Sequence, residues 1–216
     1  MVLQIQTLNL QAYDLIKEKI LSKEIQPGTR LVDSQLAEDF GISRTPARDA
    51  IRKLAEEGLV ITKPGKKGYF VYQPSARDID EIYEFRQILE LAAAEKLISE
   101  VLPADPSALD ALRSCCQAPA SDTVRFSKCD DAFHLTMVEL CGNSRMTETY
   151  IQLATYLHAF RSKTSLEVSR NEKAAIHHQL ILEGLQAGDL LQTQAHIRSH
   201  ILLSREDTIA DHISTQ

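Results

Sequence analysis

The segment that decides the fold is residues 34–72, with the sequence SQLAEDFGISRTPARDAIRKLAEEGLVITKPGKKGYFVY. Its apolar positions predict a short helix that ends at Phe40. Gly41-Ile42-Ser43 follows, and glycine adopts the left-handed conformation at no steric cost, so a tight turn between two helices is predicted. We expect the second helix to begin near Ser43 or Thr45, because either hydroxyl can cap it.

This second helix has two faces of opposite chemistry. One face carries apolar residues at helical spacing: Ala47, Ala50, Ile51 and Leu54. The other face carries an arginine at every fourth position: Arg44, Arg48 and Arg52. A row of guanidinium groups on such a helix suits a major groove, where it pairs with guanine edges or phosphates. The pattern predicts a DNA-recognition helix.

Two short strands are predicted after this helix, over 59–62 and 69–72, with a basic hairpin tip between them. The lysines of this tip, including Lys63 and Lys66, and its backbone N–H groups suit contact with phosphates, as the wing of a winged helix does. A first helix over roughly 10–22 and a strand over 29–32 complete the order of a winged helix-turn-helix. The alternative is a small α/β lobe with a solvated basic face.

The distribution of charge agrees with a DNA-binding segment. The 216 residues carry a net charge of −6, which is unusual for a DNA-binding protein. Residues 1–75, however, hold 11 basic and 9 acidic residues, against 13 and 21 in residues 76–216. Residues 43–68 alone hold 7 basic and 3 acidic residues, so the positive charge lies where the motif lies.

The start of the chain, MVLQIQTLNL, has no positively charged region, and no apolar stretch approaches the length of a membrane span. The four cysteines show no CxxC pattern, and reduced thiols are expected. Together these features predict a cytoplasmic protein without a membrane partner.

Gln73-Pro74-Ser75 predicts a break in the chain. We expect a DNA-binding domain over 1–73, a linker over 74–76 and a second domain over 77–216. In the second domain the apolar spacing predicts no strand and six amphipathic helices, at roughly 76–100, 106–117, 122–141, 145–168, 171–187 and 189–212. The predicted fold class is therefore mainly α.

Four polar residues stand on the apolar faces of three of these helices: Asp130, His134, His178 and His200. An ionised carboxylate that is buried without a partner is costly. One divalent metal satisfies an aspartate and three histidines together, and these ligands suit zinc above all, with nickel, iron and manganese as alternatives. A single histidine on an apolar face is more often a core residue bonded to a carbonyl, but the set of four favours a metal.

Two arginines also lie on apolar helix faces, Arg86 and Arg161. A buried arginine needs an anion, either an internal glutamate such as Glu90 or Glu139, or the carboxylate of a bound ligand. The sequence leaves both possibilities open.

Together these residues resemble the GntR family of bacterial transcriptional regulators. The DNA-binding half is similar at Leu36-Ala37, at residues 41–51, at Leu54, at residues 57–60 and at the wing glycines Gly65 and Gly68. The other half resembles the FCD ligand-binding domain of the FadR branch at Arg86, Leu89-Glu90, Asp130, Phe133-His134, Gly142-Asn143, His178, Gly188-Asp189 and His200. Six helices there instead of seven indicate the VanR-like subgroup.

The resemblance implies roles for individual residues. Arg44, Thr45 and Arg48 match positions that contact operator bases and phosphates, and Gly65 matches one that approaches the minor groove. Asp130, His134, His178 and His200 match the metal ligands of the family one for one. Arg86 and Asn143 match positions that line its effector pocket.

We therefore expect a homodimeric repressor that binds a pseudo-palindromic double-stranded operator and is not an enzyme. A small organic acid is expected to complete the coordination of the metal and to change operator binding. Two alternatives stay open. One is a metal-dependent hydrolase-like enzyme, because a His/Asp site with open positions can activate water. The other is a regulator whose helical domain only dimerises.

Overall fold

The structure is a computed structural model that describes residues 2–160 and 167–214 of the chain. It divides into two compact units, Met1–Pro74 and Ser75–Gln216. Every helix within the described ranges falls short of the length and apolar character that a membrane-crossing segment needs.

The first unit is a winged helix-turn-helix, as predicted. Its elements are α1 (Val2–Leu21), β1 (Arg30–Leu31), α2 (Asp33–Asp39), α3 (Arg44–Glu56), β2 (Val60–Thr62) and β3 (Tyr69–Val71). The strands form an antiparallel sheet in the order β1-β3-β2, in which both Arg30 and Ile61 pair with Phe70. Helix α1 packs on α3 and begins eight residues before the predicted start at residue 10.

The turn between α2 and α3 has the conformation expected of a helix-turn-helix. Gly41 has a φ of +63°, and the Ile42 N–H donates to the carbonyl of Ala37 at 3.0 Å. Helix α3 begins at Arg44 after Ser43, whose side chain makes no capping hydrogen bond. The apolar face of α3 is buried as predicted, at Ala47, Ala50, Ile51 and Leu54.

The second unit contains helices joined by turns and no strand among its described residues. Its helices are α4 (Ala76–Lys96), α5 (Leu102–Ala104), α6 (Ala108–Cys115), α7 (Thr123–Leu140), α8 (Ser144–Phe160), α9 (Val168–Ala187) and α10 (Leu190–Ser214). A π-helical turn at Leu97–Val101 joins α4 to α5. The predicted helix over 145–168 was too long, because Val168 already belongs to α9.

Helices α7, α9 and α10 carry the polar residues predicted to share one site, and packing brings them together. Helix α10 packs against α4 and α9, and α7 packs against α4 and α9. Gly184 allows α9 and α10 to approach closely, since a Cβ there would lie 2.5 Å from Oγ1 of Thr193. His178 on α9 and His200 on α10 lie close together, with 4.8 Å between their ring centroids.

Candidate metal centre and nucleic-acid interface

The structure brings together all four residues predicted to bind a metal. Asp130 and His134 lie one turn apart on α7, His178 lies on α9 and His200 on α10. One potential ligand atom from each lies within 4.8 Å of the others. The three histidines are buried, and the Asp130 side chain is 15% exposed. The His178 ring stacks on Phe133 with 4.3 Å between centroids, which limits its rotation.

The separations within the cluster fit a set of ligands around one ion. Nε2 of His134 lies 2.9 Å from Nε2 of His200 and 3.2 Å from Nε2 of His178. Oδ1 of Asp130 lies 3.2 Å from Nε2 of His178 and 3.8 Å from Nε2 of His134. Two atoms that each bind zinc at ~2.0–2.1 Å lie roughly 2.8–3.4 Å apart at octahedral or tetrahedral angles. Three of these four separations fall in that range, and the Asp130–His134 separation of 3.8 Å is longer. Three imidazoles and one carboxylate are also the ligand types that zinc prefers.

The protonation states favoured by the protein are those that bind a metal. Burial, with the nearby Arg86 charge, lowers the pKa of His134. Burial, with the neighbouring His134 and His178, holds the pKa of His200 well below its usual value. Both rings are therefore neutral at pH 7, which leaves a lone pair for coordination.

A buried carboxylate orients one of these ligands. Glu90 on α4 is fully buried and accepts hydrogen bonds from Arg86 Nε at 2.7 Å, from the Tyr150 hydroxyl at 2.7 Å and from His134 Nδ1 at 3.0 Å. Burial raises the pKa of the Glu90 carboxyl, but the charges and hydrogen bonds of Arg86 and His134 together hold it below its usual value, so the carboxyl stays ionised. A carboxylate only accepts, so His134 carries its proton on Nδ1 and presents the lone pair of Nε2 to the cluster.

A cavity of about 90 Å³ adjoins the cluster, and Asp130, His200 and Arg86 contribute to its wall. This volume accommodates several water molecules or one small organic anion. Its other lining residues are Tyr83, Phe126, Ser127, Arg170, Asn171, Ala174, Leu203, Ser204, Asp207 and Thr208. Arg170 is paired with Asp211 at 2.8 Å.

The three residues predicted to bind an effector are placed differently from one another. Arg86 lines the cavity and also forms the internal pair with Glu90 that the sequence left open. Asn143 is not among the residues that line this cavity. It is exposed, and its Oδ1 accepts from the N–H groups of Arg145 and Met146 at the start of α8. Arg161 lies outside the described residues.

The residues predicted to read DNA bases lie on the exposed face of α3. Arg44, Thr45, Arg48 and Arg52 are all exposed. Arg44 and Arg48 share one carboxylate partner, Asp33, at 3.2 and 2.6 Å. This contact was not predicted, because Asp33 belongs to a different helix and precedes the arginines by more than ten residues.

The wing presents a basic edge, with one difference from the prediction. Lys66 and Gly65 are exposed, and Gly65 has a φ of +72° in the turn closed by the Lys66 N–H and the Lys63 carbonyl. Lys63 is only half-exposed, since its Nζ lies 5.2 Å above the Phe70 ring. Sequence reasoning missed Arg30, whose guanidinium lies across the wing so closely that a Cβ on Gly68 would come within 3.0 Å of its Nε.

Comparison with protein families covers most of the chain. The family model described as "Bacterial regulatory proteins, gntR family" matches residues 8–71. The model of the FCD domain matches residues 81–203 and so covers more than half of the chain by itself.

Individual proteins show the same two-part organisation. The uncharacterized HTH-type transcriptional regulator YdhC of Bacillus subtilis (strain 168) is 27% identical over 197 residues, which cover 88% of this chain and 86% of YdhC. The HTH-type transcriptional repressor RspR of Escherichia coli (strain K12) is 27% identical, with coverages of 85% and 81%. The solved structure of E. coli McbR/YncC superposes with a TM-score of 0.71 at 21% identity, over 96% of this chain and 98% of that one, which indicates the same fold.

Proposed function

The chain belongs to the GntR family of bacterial regulatory proteins and contains an FCD domain, and we propose that it is a repressor controlled by a small carboxylate at a metal ion. The coarser part of this function follows from the family: the protein is a DNA-binding transcriptional regulator, and its relatives are regulators and not enzymes. The finer part is supported above all by the convergence of Asp130, His134, His178 and His200.

Operator recognition is assigned to α3 and the wing. The exposed arginine row suits base edges and phosphates, and Lys66 with Gly65 suits the adjoining backbone. A single winged helix contacts one half-site, so we assign a homodimer and a pseudo-palindromic operator. Phe85 and Ile88, which are 41% and 55% exposed on α4, support an apolar contact with a second copy.

The metal would be held by Asp130, His134, His178 and His200. When bound, it would supply a positive centre beside the cavity, to which an anionic ligand is attracted. The chain contributes the rest: Glu90 holds the proton of His134 on Nδ1, and Phe133 holds the plane of the His178 ring. The regulatory family favours a role in ligand binding over activation of water.

The effector class is assigned from the guanidinium of Arg86 on the cavity wall. The Nε of Arg86 donates to Glu90. Because a guanidinium has five N–H donors in all, other donors of Arg86 remain for a carboxylate in the cavity. An acid that meets both the metal and Arg86 would be held at two points. The hydroxyls of Tyr83, Ser127, Ser204 and Thr208 along the wall suit a polar molecule.

The test combines elemental analysis of gently purified protein with measurement of operator binding. The operator is a duplex selected from a random pool, and binding is compared with and without EDTA and a panel of small organic acids. We expect about one divalent ion per subunit, and a change in operator affinity on adding an acid that EDTA or Arg86→Ala weakens. Arg77→Ala, at an exposed position of the same helix, is the matched control.

The same measurements separate the alternatives. Metal without any response to acids would favour a helical domain that only dimerises. Protein that neither contains a metal nor gains stability with zinc, nickel or manganese would leave the cluster as an ordinary buried polar network.

A further inference from the structure

The carboxylate of Asp33 joins two arginines of α3. Its Oδ2 accepts from Arg48 Nη2 at 2.6 Å and from Arg48 Nε at 3.0 Å, and its Oδ1 accepts from Arg44 Nη2 at 3.2 Å. The Asp33 side chain is 18% exposed, whereas those of Arg44 and Arg48 are 63% and 52% exposed. The carboxylate is therefore largely covered while both guanidinium groups remain accessible.

The position of Asp33 keeps it ionised. It is the first residue of α2, where the helix dipole favours a negative charge. The hydrogen bonds from Arg48, and then those from Arg44, lower the pKa of its carboxyl. A charged acceptor is therefore present at neutral pH beside Arg44 and Arg48.

The contact with Asp33 orders both arginine side chains and leaves some of their N–H donors available. A guanidinium has five N–H donors. Arg48 donates to Asp33 from Nε and Nη2, and Arg44 donates from Nη2 alone, so each keeps donors for a base edge. A long side chain that is already ordered loses less conformational freedom on binding.

We propose that Asp33 is a specificity-determining residue, which positions Arg44 and Arg48 for base edges and whose charge opposes binding to unrelated DNA. The inference rests on the proposed function, because it takes α3 as the recognition helix. The positioning effect matters only where bases are read, whereas repulsion of phosphates acts on every sequence. The positioning effect therefore raises the ratio of operator affinity to non-specific affinity, whereas the repulsion lowers both affinities and leaves their ratio unchanged.

The test compares Asp33→Asn with Glu38→Gln. Glu38 is exposed on the same helix, and its substitution removes the same charge. Dissociation constants are measured for a duplex selected with the wild-type protein and for a scrambled duplex of equal length. Asp33→Asn should lower the ratio of the two affinities about tenfold, the scale of one base contact. Glu38→Gln should shift both affinities equally, and melting temperatures check that both variants fold.

A double variant shows whether the effect depends on the arginines. Asp33→Asn should lower the affinity ratio several times less in an Arg48→Ala background, because one of the two arginines that Asp33 contacts is gone.

Two results would overturn the role of Asp33. In the first, Asp33→Asn binds the operator more tightly and the affinity ratio is unchanged or higher, which would mean that Asp33 only blocks the arginines. In the second, Asp33→Asn changes the two affinities by the same factors as Glu38→Gln, which would mean that Asp33 has no influence on specificity. If Arg48→Ala itself kept the wild-type ratio, the assignment of α3 would fail, and the role of Asp33 with it.

Discussion

A carboxylate that accepts hydrogen bonds from basic side chains occurs in both units, with opposite exposure. In the first unit Asp33 joins Arg44 and Arg48, which are more than half exposed. In the second unit Glu90 joins Arg86 and His134, and all three side chains are at most 5% exposed. An exposed ion pair contributes about 0–1 kcal/mol to stability, whereas breaking a buried pair costs about 3–5 kcal/mol. The exposed contact is therefore suited to orienting groups that bind a partner, and the buried contact to holding a site together.

The largest expected effect follows from breaking the buried pair. Glu90→Gln leaves the Arg86 charge uncompensated in the core and should lower the free energy of unfolding by about 3–5 kcal/mol. Arg77 and Glu81 form a pair at the same spacing on the same helix, but their side chains are 86% and 59% exposed. Glu81→Gln should therefore change the free energy of unfolding by less than about 0.5 kcal/mol. Denaturant unfolding of the full chain measures both. Equal losses would contradict the contrast drawn between the two pairs.

The next effect concerns the metal that the buried pair would support. Zinc at about 100 times its dissociation constant should stabilise the wild-type protein by about 2.7 kcal/mol. His178→Ala should abolish this gain. His158→Ala should keep it, because His158 pairs with Asp131 and lies outside the cluster of four. Thermal melting with zinc and with EDTA is the measurement, and a gain that survives in His178→Ala would argue against the site.

The exposed pair should affect binding more than folding. Arg48→Ala should cost about 1–3 kcal/mol of operator binding while leaving scrambled DNA and the melting temperature little changed. Lys66→Ala on the wing should instead weaken binding to all sequences and reduce the slope of log affinity against log salt by about 1. Titrations at several salt concentrations distinguish the two. Equal loss on both duplexes in Arg48→Ala would remove that residue from base recognition.

The smallest effect is a dependence of stability on pH to which the buried cluster contributes. The pKa values of His134 and His200 are lowered in the folded protein, so the unfolded chain binds more protons below about pH 6.5. Stability in EDTA should therefore be constant above that pH and fall below it, by at most about 1.4 kcal/mol per pH unit for each group. His200→Asn should reduce the slope. Denaturant unfolding at several pH values checks this, and a variant with an unchanged slope would contradict it.

Local periodicity explains which parts of the two sites could be predicted. Arg44 and Arg48, like Asp130 and His134, are four residues apart, and the helical repeat alone places each pair on one side of its helix. Arg86 and Glu90 have the same spacing, so their pairing was among the possibilities. The capping bond of Asn143 at the start of α8 was not predicted, because such a bond depends on where a helix begins.

The amino-acid sequence by itself determined the winged helix-turn-helix, the helical second unit, the arginine row and the four candidate ligands, because each depends on spacing along a single element. Only the tertiary structure decided that Tyr150 and His134 share Glu90 with Arg86, and that Asp33 lies against Arg44 and Arg48. These contacts join residues on different helices. They are fixed by how helices pack against one another, and the spacing of residues within one helix carries no information about its neighbours.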